Sequence, residues 1–218
     1  MHHHPHTETL HTRGRLIRWA RWYDVVVDVF TLGRASALRR ATVDLAQIVP
    51  GERVLEVGCG TGAVYRVAAQ RTGPSGAVAG IDPAPEMIAV AREKAARARL
   101  TIDFRVGAIE ALPFADGGFA VVFSSLMMHH LPDDLKRQGL AEIRRVLQPG
   151  GRLVIVDVKR PTTASARLSA AIFLHGALSE GVQDLANVLR EAGFTSIQNG
   201  DMPLGMLGYI TGSTPPTR

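Results

Sequence analysis

The chain has 218 residues, enough for one domain with a substantial core. Its net charge of +5 is carried almost wholly by arginine, the only lysines being Lys94, Lys136 and Lys159. The arginines are scattered along helical stretches with no aromatic-interleaved basic strip, so a nucleic-acid partner is not expected. No apolar run reaches the roughly 18 residues of a membrane span, no repeat or apolar leader is visible, and a single cysteine, Cys59, excludes an internal disulfide, which fits a cytoplasmic protein.

His2, His3, His4 and His6, with Pro5 among them, make residues 1–12 an expected disordered tail rather than a metal site. No other His, Cys and Asp grouping has metal-ligand spacing. From Arg13 to Phe30, Leu16, Trp19, Ala20, Tyr23, Val26, Val27 and Phe30 recur at helical spacing, with Arg15, Arg18 and Arg21 largely off that face. This predicts a helix over 13–30 within an N-terminal helical region of 13–49. Three uses of its apolar face are open: a lid over a ligand site, plain packing on the core, and peripheral contact with an anionic membrane surface.

Val54-Leu55-Glu56-Val57-Gly58-Cys59-Gly60-Thr61-Gly62 is a short apolar run ending in three alternate glycines. A buried parallel strand passes there into a tight turn and a helix beginning near Ala63. Glycine permits the bend and a close ligand approach, and the free N–H groups of the helix start favour an anionic group. The spacing Gly58-x-Gly60-x-x-Ala63 satisfies the dinucleotide fingerprint. Glu56 leans the other way, because a carboxylate there repels a pyrophosphate and suits an ammonium. The Glu-x-Gly-x-Gly-x-Gly pattern closely resembles motif I of the class I S-adenosylmethionine-dependent methyltransferases. The resemblance implies an α/β, Rossmann-like, seven-stranded sheet of order 3-2-1-4-5-7-6 with its last strand antiparallel, helices on both faces and an N-terminal helical lid. It also implies S-adenosyl-L-methionine as cofactor, held by Glu56, Gly58, Cys59, Gly60 and Gly62. Cys59 reads as a small residue that fits, not a nucleophile.

Val78-Ala79-Gly80-Ile81-Asp82 is a second apolar strand ending in an acid. Asp82 is placed to accept hydrogen bonds from ribose hydroxyls or to cap the helix that follows Pro83; both roles are compatible. By resemblance, Pro83 and Met87 belong to the same pocket. The segment Phe104 to Phe114 is similar to the family's third-strand region, where an Asp normally bonds the adenine amino group. Ala108 stands in that place, leaving backbone contacts from Ala108 and Ile109, and Glu110 matches a structural acid. In Phe119-Ala120-Val121-Val122-Phe123, Ala120 replaces a second expected acid. Ser124, Ser125, Leu126, Met127, Met128, His129, His130 and Leu131 then resemble the loop beside the transferring methyl group, with Ser124 on the cofactor. A helix opens at Pro132-Asp133, stops at Gln148-Pro149-Gly150-Gly151 and leads into the strand Arg152–Asp157. The resemblance covers about residues 36–157 and points to the ubiquinone/menaquinone C-methyltransferase-like or phospholipid N-methyltransferase-like branch. In related methyltransferases the counterparts of Tyr23 and Asp24, in Trp22-Tyr23-Asp24, lie near the pocket.

Beyond the break at Lys159-Arg160-Pro161, an apolar helical stretch over 164–178, within an insertion of 160–180, is expected to shape an acceptor pocket. A helix from about Glu180 to Glu191 and a hairpin of 194–199 with 204–211 close a single domain of 13–218. The acceptor implied is a small, hydrophobic quinone, phenol or lipid amine; an arsenite-type acceptor is not expected, since that chemistry wants several cysteines. If a base is needed, His129 and His130 are the candidates, then Tyr23, Asp24 and His175. Two other readings stay open: a nicotinamide-dependent oxidoreductase on a similar sheet, and a cofactor-binding protein without catalytic activity. Oligomeric state is not legible.

Overall fold

A computed structural model of the chain describes residues 12–14, 20–31, 33–62, 64–160 and 181–217. Seven strands form one sheet: β1 Arg53–Val57, β2 Ala77–Asp82, β3 Asp103–Val106, β4 Phe119–Ser125, β5 Leu147–Val158, β6 Thr195–Asp201 and β7 Leu207–Ser213. Their order is β3-β2-β1-β4-β5-β7-β6, as the resemblance implied. β1 to β5 run parallel, and β7 pairs antiparallel with both β5 and β6. β1, β4 and the Leu153–Val158 part of β5 are nearly continuous buried runs because helices cover both their faces.

The covering helices are α1 Ala20–Phe30, α2 Ala35–Leu45, α3 Tyr65–Thr72, α4 Pro85–Arg97, α5 Asp133–Val146 and α6 Leu185–Glu191. Two hydrophobic cores result, one on each face of the sheet. Leu55, Val122, Leu140, Ile143 and Leu153 share one, and Val54, Tyr65, Ile88, Val121 and Phe123 share the other. Successive strand residues feed opposite cores, which is the period-2 alternation of a pleated strand. The chain reverses direction across the sheet between β1 and β4, which places a crevice beyond the carboxyl ends of these strands.

Several local expectations change. Among the described residues the N-terminal helix runs Ala20–Phe30; Arg13 and Gly14 form a bend and not the expected helix start, and 15–19 lie outside the described residues. Val26, expected on the buried face, is exposed with Trp22, Val25 and Val29. Ala20 instead makes the contact, packing on Ala84 and Met87 of the α4 start. α5 ends at Val146, and β5 begins at once at Leu147, with a register break opposite Phe119–Val121 that absorbs Pro149-Gly150-Gly151. The helix expected from Glu180 is a 3-10 turn, Val182–Asp184, running into α6. Ala120 lies at the amino-terminal end of β4, buried in the core, so an acid there would not reach the crevice. The 164–178 stretch, His175, Ala63 and the histidines of the tail lie outside the described residues.

Candidate cofactor and acceptor site

The turn after β1 is built from left-handed glycines: Gly58, Gly60 and Gly62 have φ of +71°, +52° and +75°. An L-residue is strained there. At Gly62 a Cβ would also lie 2.8 Å from the Tyr65 ring. Long-range bonds fix the turn. Cys59 N–H donates to Ile81 O at 2.8 Å, and Gly60 N–H donates to Asp82 Oδ2 at 2.9 Å. The other Asp82 oxygen accepts Ala84 N–H at 2.9 Å. Asp82 therefore braces the turn against the entry to α4; the cap position itself is Ala84, not Asp82. Burial pushes its carboxyl above the usual range, against those two backbone donors. Each oxygen keeps a second lone pair for a hydroxyl.

A cleft opens beside this turn. Gly58, Gly60, Asp82, Pro83, Met87, Ala108 and Ile109 line it, so seven of the expected cofactor residues converge. Met127, His130 and Leu131 line the same cleft from the loop after β4. Thr12 and Gly14 also line it.

The other expected residues face elsewhere. Glu56 and Cys59 line an adjoining cavity beneath α1 and α2, with Asp24, Arg39 and Ser125. Glu56 is 4% exposed, and its Oε2 has no hydrogen-bond partner. Burial raises its pKa to about 8; nearby Asp82 adds to the rise, and Arg39 and a backbone bond to Val64 oppose it. Burial also holds the Cys59 thiol well above its ordinary pKa, which agrees with an inert side chain. Gly62 lines an open groove between α1, α3 and α4. Ser124 is fully buried in β4 and reaches neither space; strand alternation gives the adjoining cavity to Ser125.

His129 and His130 part company. The Met128–His130 3-10 turn sends His130 to the cleft and His129 to a small pocket with Lys136 and Asp157. His129 Nδ1 lies 2.5 Å from Asp157 Oδ1, and Asp157 Oδ2 accepts the His129 backbone N–H at 3.2 Å. The two imidazoles stack with centroids 3.9 Å apart, tilted by 44°. Asp157 is the residue that sequence reasoning missed here; its signal was an acid closing an otherwise apolar strand.

α1 is tied to the glycine turn through Asp24, whose Oδ1 accepts the Thr61 hydroxyl at 2.8 Å and whose Oδ2 pairs with Lys94. Asp24 is thus a strut rather than an available base. The backbone of Tyr23 is in α1, and its side chain lies outside the described residues. Among the described residues no group of His, Cys, Asp or Glu is placed to hold a metal ion, and no helix is long and apolar enough to cross a membrane.

A glycine-lined crevice at the reversal point of this sheet order, with an acid closing β2, defines a Rossmann-like site for a nucleoside-bearing cofactor. A methyltransferase-domain family matches residues 54–151. The arsenite methyltransferase of Halobacterium salinarum is 38% identical over 159 residues, 70% of this chain, and the chain spans 40% of that relative's length. The demethylmenaquinone methyltransferase of Thermus thermophilus is 34% identical over 156 residues, covering 72% of this chain and 70% of the relative. The structure of an S-adenosylmethionine-dependent methyltransferase from Aquifex aeolicus superposes with a TM-score of 0.65 at 20% identity, covering 80% of this chain and 88% of that one. The chain belongs to the class I S-adenosylmethionine-dependent methyltransferases. The nicotinamide-dependent reading gives way to this family.

Proposed function

We propose that the chain transfers a methyl group from S-adenosylmethionine to a small, largely apolar acceptor: a quinone, a phenol or a lipid amine. The observation that carries this is the shared cleft, where Met127, His130 and Leu131 meet Gly58, Asp82 and Ala108. S-adenosylmethionine, when bound, supplies a methyl group already activated by its sulfonium. The chain then has to orient, exclude water and manage one proton. Asp82 and the glycine turn would hold the nucleoside end, Ala108 and Ile109 would flank the base, and Met127 and Leu131 provide an apolar wall of the cleft. Alignment of this kind supplies about 7–11 kcal/mol in favourable cases.

His130 is the residue we assign to accept a proton from the acceptor. His129 takes the supporting place, its ring fixed by Asp157 and stacked on His130. The buried, single cysteine argues against a thiol-dependent arsenite route, although the Halobacterium relative carries that name. We infer a cytoplasmic location from the lone reduced cysteine. Contact of α1 with an anionic membrane surface is a further reading of its exposed Trp22, Val25 and Val29.

Labelled S-adenosylmethionine offered with a short-chain demethylmenaquinone, a catechol, an ethanolamine phospholipid and arsenite tests the proposal. Transfer to one of the first three is the expected result. His130→Ala should then lower turnover about 10²-fold with cofactor affinity unchanged. Cofactor binding without transfer to any acceptor would favour a binding protein without catalysis.

A further inference from the structure

α1 turns an acid inward and an apolar face outward. Ala20 packs on Ala84 and Met87, and Asp24 meets Thr61 and Lys94. On the opposite side stand Trp22, Val25, Val26 and Val29, which are 66%, 52%, 46% and 71% exposed. Their spacing of i, i+3, i+4 and i+7 is that of one helix face. Among the described residues the other exposed large hydrophobics are Val49 and Met206, each isolated in the chain. Single exposed apolar residues are ordinary, whereas a stripe of four on one helix marks a contact surface.

Val25 also lines the open groove between α1, α3 and α4, so the stripe runs into it. Arg39, Arg66, Lys94 and Arg97 line that groove, against the two acids Asp24 and Asp28. Lys94 is tied to Asp24, and Arg97 to the exposed Glu93. Arg39 and Arg66 have no ion-pair partner among the described residues. The surface beside the stripe therefore carries an excess of positive charge. A tryptophan and valines on one helix face, flanked by guanidinium groups, suit the boundary between lipid headgroups and acyl chains. The indole takes the headgroup level, the valines meet the acyl edge, and arginine pairs with lipid phosphate. A second copy of the chain fits less well, because a two-fold contact would bring the same cations together.

We propose that the outer face of α1, with the groove beside it, docks the protein on an anionic lipid bilayer. The proposal rests on the membrane reading of α1 given above and adds Val26, the groove cations and the charge of the lipid to it. The bonds of Asp24 to Thr61 and Lys94 hold the helix with its stripe outward. Met87, on which Ala20 packs, also lines the cleft, so the bilayer would stand one helix away from it. An apolar acceptor dissolved in that bilayer then has a short route to the cleft.

The test is flotation of the full chain with vesicles of phosphatidylcholine, alone and mixed with phosphatidylglycerol, at low and at high salt. Wild type should float with the anionic vesicles at low salt, bind the neutral ones poorly, and lose most of its binding at high salt. Trp19→Phe leaves Trp22 as the sole tryptophan, and its emission should shift to shorter wavelength as anionic vesicles are added. Trp22→Ser combined with Val29→Ser should weaken binding at least about 10-fold. Arg66→Gln combined with Arg97→Gln should weaken it roughly 5–25-fold at low salt, since each cation near such a surface is worth about fivefold. All four side chains are exposed, so melting temperatures should not change and serve to show that both double variants fold. Four outcomes would overturn the proposal. Equal binding to neutral and anionic vesicles would strike the groove and its charge while leaving α1 on the membrane. No binding by wild type would strike the membrane reading itself. Binding that neither double variant alters would place the contact elsewhere on the chain. A concentration-dependent dimer that Trp22→Ser with Val29→Ser converts to monomer would assign the stripe to a second copy.

Discussion

Asp157 at the end of β5 holds His129 twice, through the ring at 2.5 Å and through the backbone N–H at 3.2 Å. It also accepts its neighbour's Val158 N–H at 2.7 Å, so one buried carboxylate anchors the loop after β4 to the adjacent strand. Asp157→Ala should leave these donors unpaired at a buried site. The expected loss is about 2–3 kcal/mol of stability, seen as a fall of about 4–12 °C in Tm. Asp157→Asn keeps one acceptor oxygen for the backbone and should lose less. Equal melting temperatures for wild type and Asp157→Ala would show that the loop is held by something else.

Glu56 links stability and binding with opposite signs. Its folded pKa of about 8 lies above the ordinary value of 4.5, so its contribution to stability is fully present below pH 4.5 and is lost as pH rises through 8. The groups around it are Arg39 from α2, Asp82 from β2, Asp24 from α1 and Cys59 of its own turn. Glu56→Gln should therefore stabilise the free protein at pH 8, on the order of 2–4 kcal/mol, while weakening S-adenosylhomocysteine. Because a bound ammonium favours the carboxylate, binding at pH 7 should release about one proton. Calorimetry in buffers of different ionisation enthalpy measures that release, and a value of zero would mean that Glu56 does not meet the ligand.

Ala108 is 6% exposed on the cleft wall, where the family usually has an acid. Ala108→Asp should supply an acceptor to the adenine amino group and tighten S-adenosylhomocysteine by about 0.5–1.5 kcal/mol. Weaker binding would show that the adenine edge does not reach this position.

The strut from α1 should be separable from the core. Asp24→Ala removes the Thr61 bond and the part-exposed Lys94 pair. The global stability cost should be small, about 0.5–1.5 kcal/mol. Cleavage by a dilute protease within residues 20–34 should become faster, and S-adenosylhomocysteine should slow it again. Unchanged cleavage would remove Asp24 as the tie.

At Gly62 the positive φ and the close Tyr65 ring act together. Gly62→Ala should cost about 1–3 kcal/mol through backbone strain and crowding. Denaturant titration reads this directly, and a neutral substitution would mean that the turn relaxes freely.

The amino-acid sequence by itself determined where the cofactor turn falls, and only its resemblance to a family implied how the sheet is ordered. Apolar runs of strand length, left-handed glycines and an acid closing β2 are local signals, and each acts within a few residues. Local signals did not decide which space a side chain enters. Ser124 and Ser125 are equivalent as letters, as are His129 and His130; strand alternation and the 3-10 turn after β4 send them to different places. Asp157 meets His129 only because β5 lies beside β4, and Arg39 meets the Glu56 cavity only because α2 packs over the end of β1. Such contacts join residues far apart in the chain, so they exist only once the sheet has assembled and its helices have buried their faces on it.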